Sequence, residues 1–214
     1  MTLLVNEIFY SIQGESINSG RPCIFIRLTG CNLRCSYCDT RYAYEEGTPM
    51  DVGEILDRLA AYQCSLVEIT GGEPLLQHDT PLLIHRLLEN GYEVMMETNG
   101  SFDISRVDGR CMKIVDIKCP SSGASEKNDL KNLKRLNLID QIKFVVGCRE
   151  DYLYAKEIIK SIPPGFPMER VLFSPVSDKM SSDILAGWIL EDALDVRLHL
   201  QLHKIIWPDE PRGV

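Results

Sequence analysis

The sequence has no long apolar segment. No uninterrupted apolar run comes near the about 20 residues that a membrane-spanning helix requires. Residues 1–7 also lack the basic flank and the apolar core of an export signal. These two absences predict a protein that neither crosses a membrane nor is exported, and we expect it to be cytoplasmic.

Positive charge is also scarce. Lys and Arg number 23 against 31 Asp and Glu, which gives a formal net charge of −8 at pH 7. A surface that binds nucleic acid usually carries a broad basic footprint, because it has to neutralise phosphates. The composition therefore argues against direct binding of RNA or DNA.

Most of the cysteines lack the close spacing that is typical of a disulfide framework or of a metal site. Five of the eight cysteines occur singly, at Cys23, Cys64, Cys111, Cys119 and Cys148. We expect them to be reduced core residues of a cytosolic protein. A chain of 214 residues is also short for a full eight-unit α/β barrel and has no room for extra domains that carry further clusters. The length predicts a single domain over residues 1–214.

The other three cysteines form the most informative segment. Cys31, Cys35 and Cys38 follow a C-x3-C-x2-C spacing with no fourth cysteine nearby. Three thiolates can hold three irons of a 4Fe-4S cluster and leave the fourth iron open, whereas electron-transfer ferredoxins usually have four cysteine ligands. Zinc sites need four ligands and prefer paired C-x2-C knuckles or histidines. Structural cysteines have apolar neighbours, but this loop is polar, so the spacing favours a cluster with chemistry at its open iron.

This loop resembles the cysteine motif of the radical S-adenosylmethionine (radical SAM) superfamily. The resemblance implies that Cys31, Cys35 and Cys38 ligate the cluster and that the methionine end of SAM chelates the open iron. It also implies that Tyr37 lies near the adenine of SAM. The backbone of Tyr37, Cys38 and Asp39 would then contact the cofactor.

A second motif, Thr70-Gly71-Gly72-Glu73-Pro74, directly follows an apolar run. Two glycines let a ligand approach the backbone, and a carboxylate can accept hydrogen bonds from an amine. Alone, the motif would be read as an ordinary glycine turn, but the superfamily resemblance implies that Gly72 and Glu73 hold the methionine ammonium of SAM. Further candidates for contacts with the SAM ribose and carboxylate are Asp116, Ile117, Lys118 and Ser174. The alternative for Lys118 is a solvated lysine at a strand end.

Short β-like runs alternate with helical segments, which is typical of parallel βαβ units. The sequence predicts strands at residues 23–28, 66–69, 92–97, 112–117, 141–146, 171–173 and 196–202. It predicts helices at residues 52–62, 80–89, 126–136, 151–161 and 181–193. Polar or glycine-bearing segments follow the strands, at the end where parallel α/β barrels have their active sites. We predict the α/β class with an open partial barrel of about six parallel strands, in line with the superfamily resemblance.

Further motifs narrow the resemblance to one family. They are Ser11-Ile12-Gln13-Gly14-Glu15, Arg27 before the cysteine loop, Cys38-Asp39-Thr40, residues 70–77, and Gln201-Leu202-His203-Lys204. Together they are similar to the 7-carboxy-7-deazaguanine synthase family over nearly the whole chain. That family converts 6-carboxy-5,6,7,8-tetrahydropterin into 7-carboxy-7-deazaguanine and releases ammonia, on the way to queuosine and related deazapurines. It uses SAM as a regenerated cofactor and needs Mg2+.

The family resemblance also implies a set of substrate contacts. These residues are Ile12, Gln13, Gly14, Glu15, Arg27, Thr70 and His203. The side chains suit such a substrate, because Arg27 offers a planar fork to a carboxylate or carbonyl, Gln13 can donate and accept, and Glu15 can accept from an aminopyrimidine edge. A polar turn after an edge strand is the alternative for Gln13 and Glu15, and core packing or a dimer contact is the alternative for His203.

Thr40 is the candidate ligand of Mg2+. The metal favours oxygen, takes few protein ligands and is often completed by substrate and water. The resemblance implies that the threonine after Cys-Asp supplies such an oxygen. Without the resemblance, Thr40 would be interpreted as a helix cap or a loop residue.

The resemblance implies a flavodoxin-like reductant and a homodimer as well. Two rival functions use parts of the same pattern: an activating enzyme that places a glycyl radical on a partner protein, and a non-enzymatic iron-sulfur redox or scaffold protein. Arg27, Gln13 and Thr40 argue against the first, which needs a peptide groove. The missing fourth cysteine argues against the second.

Overall fold

The computed structural model describes residues 2–177, 179–210 and 212–214, so the predicted domain over residues 1–214 extends to three positions outside the described residues. Nine strands form one sheet in the order β3-β1-β2-β4-β5-β6-β7-β8-β9. The strands are β1 (Thr2–Ile12), β2 (Pro22–Leu28), β3 (Thr48–Asp51), β4 (Leu66–Gly71), β5 (Glu93–Thr98), β6 (Met112–Asp116), β7 (Gln141–Val146), β8 (Val171–Pro175) and β9 (Arg197–Leu198).

The central part of the sheet is parallel. Every neighbouring pair from β2 to β9 runs in the same direction, and only β1 and β3 are antiparallel to their neighbours. Within the described residues, β3 and β9 are the two ends of the sheet, which is therefore open. Parallel strands are covered on both faces, and β7 shows this clearly because all six of its residues are buried. The predicted open barrel of about six parallel strands is confirmed.

Helices cover one face of this sheet. They are α1 (Val52–Leu59), α2 (Thr80–Glu89), α3 (Arg149–Ile159) and α4 (Ser182–Glu191), and a further short helix, α5 (Leu202–Ile206), follows β9. The Asp51 side chain caps the start of α1, and Glu54 bonds back to the Asp51 N–H, so a capping box begins this helix. The predicted bounds of α2 are confirmed. No helix in the described part of the chain is long and apolar enough to span a bilayer.

The predicted helix at 126–136 is wrong. Two short 3-10 turns, Ser125–Lys127 and Leu130–Lys134, take its place. The buried Asn132 amide donates to the carbonyls of Gly100 and Phe102, at 3.0 and 2.8 Å, and so ties this segment to the loop after β5. These partners are about 30 residues away in the sequence, so helix propensity, which is a local property, does not reveal them.

Two expectations for the strands also fail. The strand predicted at 196–202 is reduced to the two residues of β9, because the Leu202 N–H donates to the Gly14 carbonyl and the chain turns there into α5. The N-terminal strand β1 was not predicted. Its mixed polar and apolar residues suit an antiparallel strand near the sheet edge rather than a buried parallel one.

Candidate active site

A cavity of about 580 Å³ opens at the carboxyl ends of the parallel strands. Alternate residues of a strand point to opposite faces, and the face away from the helices changes character along each strand. At its start this inner face is apolar, and a small cluster of Cys23, Phe25, Leu66, Met95 and Ile114 fills it. Two or four residues further on, the same face carries polar residues that line the cavity: Arg27, Glu68, Thr70, Glu97, Asp116 and Lys143. Strand geometry therefore brings these polar side chains together next to the apolar cluster.

Lys143 is the central cation of the cavity. Its ammonium group is 2.7 Å from Glu97 Oε1 and forms a second ion pair with Glu15. Only 5% of the Lys143 side chain is exposed, so the pair with Glu97 is poorly screened. Burial opposes ionisation of Glu15, but the nearby Lys143, His199 and His203 together outweigh it and hold the pKa of Glu15 below its usual range.

Glu68 lies beside this cluster without a cation of its own. Burial, and then the neighbouring charge of Glu97, raise the pKa of Glu68 to about 8. Its partner is the Gln13 side-chain amide, which donates to Glu68 Oε2. At neutral pH most Glu68 side chains are therefore protonated, and the cavity avoids a third carboxylate charge next to one lysine.

The side chain of Gln13 makes its hydrogen bonds mainly with other residues of the protein. Besides the bond to Glu68, the side-chain oxygen Oε1 of Gln13 accepts from the Glu15 N–H at 2.9 Å, and Gln13 is 2% exposed. The Gln201 amide donates to Glu15 Oε1 at 2.8 Å. Gln13 thus orients the loop that presents Glu15 to the cavity.

Arg27 lines the cavity from β2, the strand next to β4. Its Nε donates to Glu7 Oε1 at 2.7 Å, and Tyr42 donates to the same oxygen at 3.0 Å. The guanidinium carbon also lies 5.6 Å from the ring centre of Phe9 and 5.7 Å from that of Tyr42. These contacts fix the Nε edge, and the terminal nitrogens make no hydrogen bond within the described residues.

The cysteine loop forms one end of the cavity. Cys31, Cys35 and Cys38 all line it and are partly buried. Burial raises the pKa of Cys31 and Cys35, while the charge of Lys118 opposes this change. In the described part of the chain, no three His, Cys, Asp or Glu side chains converge as metal ligands do. Side-chain rotation within the loop therefore has to bring the three thiolates together around a cluster.

Two glycines let β4 end against this loop. A Cβ atom on Gly71 would overlap the Leu28 backbone, and Gly71 has φ of +141°. A Cβ atom on Gly72 would overlap the Gly30 carbonyl and lie 2.8 Å from the Cβ of Cys31. The Glu73 N–H donates to the Gly30 carbonyl at 2.8 Å. Only glycines allow the motif and the cysteine loop to lie this close.

Glu73 itself lies outside the cavity wall. It is fully buried; its Oε1 accepts from the Leu75 N–H and the Thr98 hydroxyl, and its Oε2 accepts from the Asn99 N–H, at 2.7 to 2.9 Å. Burial raises its pKa, and these bonds oppose that rise. The carboxylate thus holds the loop after β5, while its contact with the SAM ammonium stays a prediction.

Two other predicted cofactor residues are also absent from the wall. Ile117 belongs to the apolar core on the helix side, and Ser174 is buried beside His199, within 3.0 Å of its Nδ1. Asp116 and Lys118 do line the cavity and form a pair with 2.7 Å between Oδ2 and Nζ. The other carboxylate oxygen of Asp116 is buried without a hydrogen-bond partner, so it can accept from a ligand hydroxyl.

Several other predicted residues line the cavity, and their contacts with cofactor or substrate stay predictions. The cavity wall includes Ile12, Gly14, Tyr37, Asp39, Thr40, Thr70 and His203. Tyr37 donates to the Val145 carbonyl at 3.4 Å, and burial raises its pKa. Thr40 precedes a 3-10 turn, but its side chain makes no capping hydrogen bond there and reaches only Asp39 Oδ1, at 3.1 Å. The capping interpretation of Thr40 is therefore wrong.

The C-terminal segment closes one side of the cavity. Lys204 pairs with Asp39 at 2.8 Å, and His203 fills the space over Gly14 that a Cβ atom there would need. Arg212 pairs with Glu46 at 2.9 Å and lies over the Tyr42 ring. The contacts join α5 and the residues after it to the cysteine loop and to the loop after β1.

Sequence reasoning missed several residues of the wall. The most important are Tyr42, Glu68, Glu97, Lys143, Gln201 and Lys204. Three of them carried a usable signal, because a charged residue inside a buried strand is costly without a partner or a function. Glu68, Glu97 and Lys143 interrupt apolar runs in this way. Lys143 pairs with Glu97 on a different strand, and Glu68 accepts from Gln13 in the loop after β1, so the partners could not be read from spacing.

Comparison with known proteins gives a consistent result. A family model of the radical SAM superfamily matches residues 25–116. The chain is 46% identical to the 7-carboxy-7-deazaguanine synthase of Chlorobaculum tepidum, over 99% of this chain and 97% of that protein. It is 42% identical to the synthase of Koribacter versatilis, over 98% and 99% of the two chains. The crystal structure of QueE from Escherichia coli matches with a TM-score of 0.80 and 26% identity, over 95% of each chain.

Proposed function

Because this chain belongs to the 7-carboxy-7-deazaguanine synthase family of the radical SAM superfamily, we propose that it contracts the ring of 6-carboxy-5,6,7,8-tetrahydropterin to 7-carboxy-7-deazaguanine with loss of ammonia. The chain is a radical SAM enzyme, with a 4Fe-4S cluster and SAM as cofactors. The names of its relatives favour this reaction over activation of a partner protein.

The residues present fit these cofactors. Three thiols border one cavity, and the glycines at 71 and 72 leave no side chain between the end of β4 and the cysteine loop. The unpartnered Asp116 oxygen offers an acceptor for a ribose hydroxyl. In this proposal Cys31, Cys35 and Cys38 hold the cluster, and Gly72, Asp116 and Lys118 contact SAM. The bound cofactors supply one-electron hydrogen-abstraction chemistry, and the chain supplies binding and orientation.

One observation carries the substrate assignment: a guanidinium and several carboxyl side chains line the same cavity. The terminal N–H groups of Arg27 make no hydrogen bond within the described residues and can bind the pterin carboxylate, while Glu7 holds the guanidinium in a fixed plane. Glu15 and Glu68 line this cavity too and can accept from the amino and ring N–H groups of the pterin. A cavity of about 580 Å³ is within the usual size of small-molecule sites.

Thr40 is the proposed Mg2+ ligand. Thr40 lines the cavity, and its hydroxyl makes no capping hydrogen bond and donates to Asp39 Oδ1. One protein oxygen, with substrate and water oxygens around it, is a common arrangement for this metal. Asp39 next to it adds negative charge, although Lys204 partly compensates that charge.

The proposal is tested with the reconstituted enzyme, SAM, reductant and 6-carboxytetrahydropterin under anaerobic conditions, with product followed by mass spectrometry. We expect 7-carboxy-7-deazaguanine to form and to require added Mg2+. Thr40→Val removes the hydroxyl at nearly constant volume and should lower the rate at limiting Mg2+ by about tenfold or more, by the usual effect of removing a group that supports a metal site. Thr40→Ser keeps the oxygen and should retain most activity.

Two results would refute parts of this proposal. If SAM is cleaved but the pterin is untouched, the substrate is wrong and the radical SAM chemistry remains. If Thr40→Val and Thr40→Ser respond equally to Mg2+, Thr40 is not the ligand. The proposal further includes a flavodoxin-like reductant and a homodimer, which rest on the family resemblance, and a single domain and a cytoplasmic location, which rest on the length and the apolar pattern of the sequence.

A further inference from the structure

Asp151 is a buried carboxylate that the reaction itself does not use. It lies in the first turn of α3, is fully buried, and forms no ion pair within the described residues. Its Oδ1 accepts from the Ser121 N–H at 2.8 Å, and its Oδ2 accepts from the Ser121 hydroxyl at 2.5 Å and the Gly147 N–H at 2.8 Å. Burying a carboxylate is costly unless hydrogen bonds satisfy it, and here three donors do so.

These bonds join two segments that follow neighbouring strands. Ser121 lies in the loop after β6, and Gly147 directly follows β7. A Cβ atom on Gly147 would come within 3.0 Å of the Ser121 hydroxyl and 3.3 Å of Asp151 Oδ2. The two segments are therefore closely packed at this contact, and a side chain at position 147 would push against both Ser121 and Asp151.

The loop that Asp151 holds reaches the cysteine loop. The Ser121 carbonyl accepts from the Ser36 hydroxyl at 2.8 Å, and the Ser122 carbonyl accepts from the Ser36 N–H at 3.0 Å. Ser36 directly follows Cys35 and precedes Cys38 by two residues. Within the described residues, Ser36 is the only residue of 31–40 whose N–H donates to a backbone oxygen outside that segment.

We propose that Asp151 is a positioning residue for the cysteine loop: through Ser121 and Ser122 it fixes Ser36, and so the placement of Cys35 and Cys38. The inference rests on the proposed role of these cysteines as cluster ligands. The bonds of Ser36 matter because the other hydrogen bonds that hold residues 31–38 to the rest of the protein are made mainly by side chains. A carboxylate with two oxygens can hold Ser121 and Gly147 at once, which an amide in its place cannot do with its N–H2 group.

The test compares Asp151→Asn and Ser36→Ala with the wild-type holoenzyme. Hydrogen–deuterium exchange of the peptide that covers residues 31–40 reports the anchoring directly. We expect about tenfold faster exchange at the Ser36 amide in both variants, the effect of losing about one hydrogen bond. The EPR spectrum of the reduced cluster should broaden and respond less uniformly to SAM. More 5′-deoxyadenosine should form per product, because SAM cleavage and substrate positioning become uncoupled.

Two further variants separate positioning from stability. Asp140→Asn alters another fully buried carboxylate, which accepts from the N–H groups of Lys113 and Asn137 far along the chain from the loop. It should lower the melting temperature without changing exchange at residues 31–40, the EPR spectrum or the product ratio. Ser36→Thr keeps the hydroxyl and should restore the wild-type product ratio. The double variant Asp151→Asn/Ser36→Ala should resemble the worse single variant, since both act on one contact.

Unchanged exchange and an unchanged product ratio in Asp151→Asn, at a melting temperature lowered as in Asp140→Asn, would overturn the proposal. If Asp151→Asn does not fold, Ser36→Ala and Ser36→Thr decide, and equal product ratios in these two overturn it. Failure of the proposed function gives a different result, because the wild-type protein would then bind no cluster, leave SAM intact, or cleave SAM without converting the pterin.

Discussion

Glu68 shows what a single residue contributes to the cavity. It is a carboxylic acid inside an otherwise apolar buried strand, and burial together with Glu97 raises its pKa to about 8. The folded protein therefore holds a proton that the unfolded chain, with a pKa near 4.5, releases. Where the folded state binds more protons than the unfolded chain, the free energy of unfolding falls as the pH rises. Over the whole titration the loss is about 1.4 kcal/mol for each unit by which the pKa in the folded state exceeds that in the unfolded chain. The loss begins near pH 4.5 and is complete above pH 8.

Glu68→Gln removes this titration while keeping the shape and the bond with Gln13. We expect the wild-type free energy of unfolding to decline between pH 5 and 8 and the Glu68→Gln protein to show a clearly flatter profile. Urea unfolding of both proteins across this range measures the difference. Glu157→Gln on the exposed face of α3 is the control and should keep the wild-type slope. Parallel profiles for wild type and Glu68→Gln would contradict the assignment of the raised pKa.

At Gly72, the addition of a single Cβ atom should lower stability and disturb the cysteine loop. Gly72→Ala places a Cβ against the Gly30 carbonyl and the Cβ of Cys31, and backbone cannot move aside easily. Overpacking of this kind costs about 1–3 kcal/mol, and the displaced loop should also incorporate less iron per chain. Thermal unfolding and iron analysis measure the two effects. Gly187→Ala in α4 is the control: its Cβ meets nothing within 4 Å, and it should stabilise the helix by about 0.5–1 kcal/mol.

At the scale of elements, the sequence predicted the parallel strands well because their apolar runs are bounded by polar rim segments. The bounds of α2 also follow from local residues, since Pro81 lies at its start and Asn90 follows its end. The segments at 126–136 and 196–202 failed because distant partners decide them: Asn132 bonds to the loop after β5, and Leu202 bonds to Gly14. The site shows the same division. The cysteines and glycines were found by local spacing, whereas the ion pairs of Lys143 join separate strands.

Asn132 makes the element-scale argument testable. Its side chain replaces helical hydrogen bonds by holding the carbonyls of Gly100 and Phe102 and accepting from the Ile104 N–H. Asn132→Ala leaves these buried groups unpaired and should lower the free energy of unfolding by about 2–4 kcal/mol. Urea unfolding measures this. Asn137→Ala, at an exposed position with one long contact to the Gly109 carbonyl, should change it by less than about 0.5 kcal/mol. Equal effects of the two substitutions would show that Asn132 does not define the segment.

At the scale of the whole molecule, one buried cation joins parts of the chain that are far apart in sequence. Lys143 on β7 pairs with Glu97 on β5 and with Glu15 in the loop after β1. Glu15 in turn accepts from Gln201 in the C-terminal segment. The barrel, the N-terminal loop and the C-terminal segment are therefore connected through charges inside the cavity, in a protein whose overall charge is −8.

Lys143→Met removes this cation and leaves two buried carboxylates without their partner, which should lower the free energy of unfolding by about 3–5 kcal/mol at pH 8. Without Lys143, the pKa values of Glu15 and Glu97 rise, so both become protonated in the folded state as the pH falls. The deficit relative to wild type should therefore be smaller at pH 5.5 than at pH 8, and urea unfolding at the two pH values measures it. Lys143→Met/Glu97→Gln should recover part of the loss at pH 8, because one of the uncompensated charges is gone. A deficit that is independent of pH and unchanged in the double variant would mean that Lys143 stabilises the fold through the packing of its methylene groups instead of its charge.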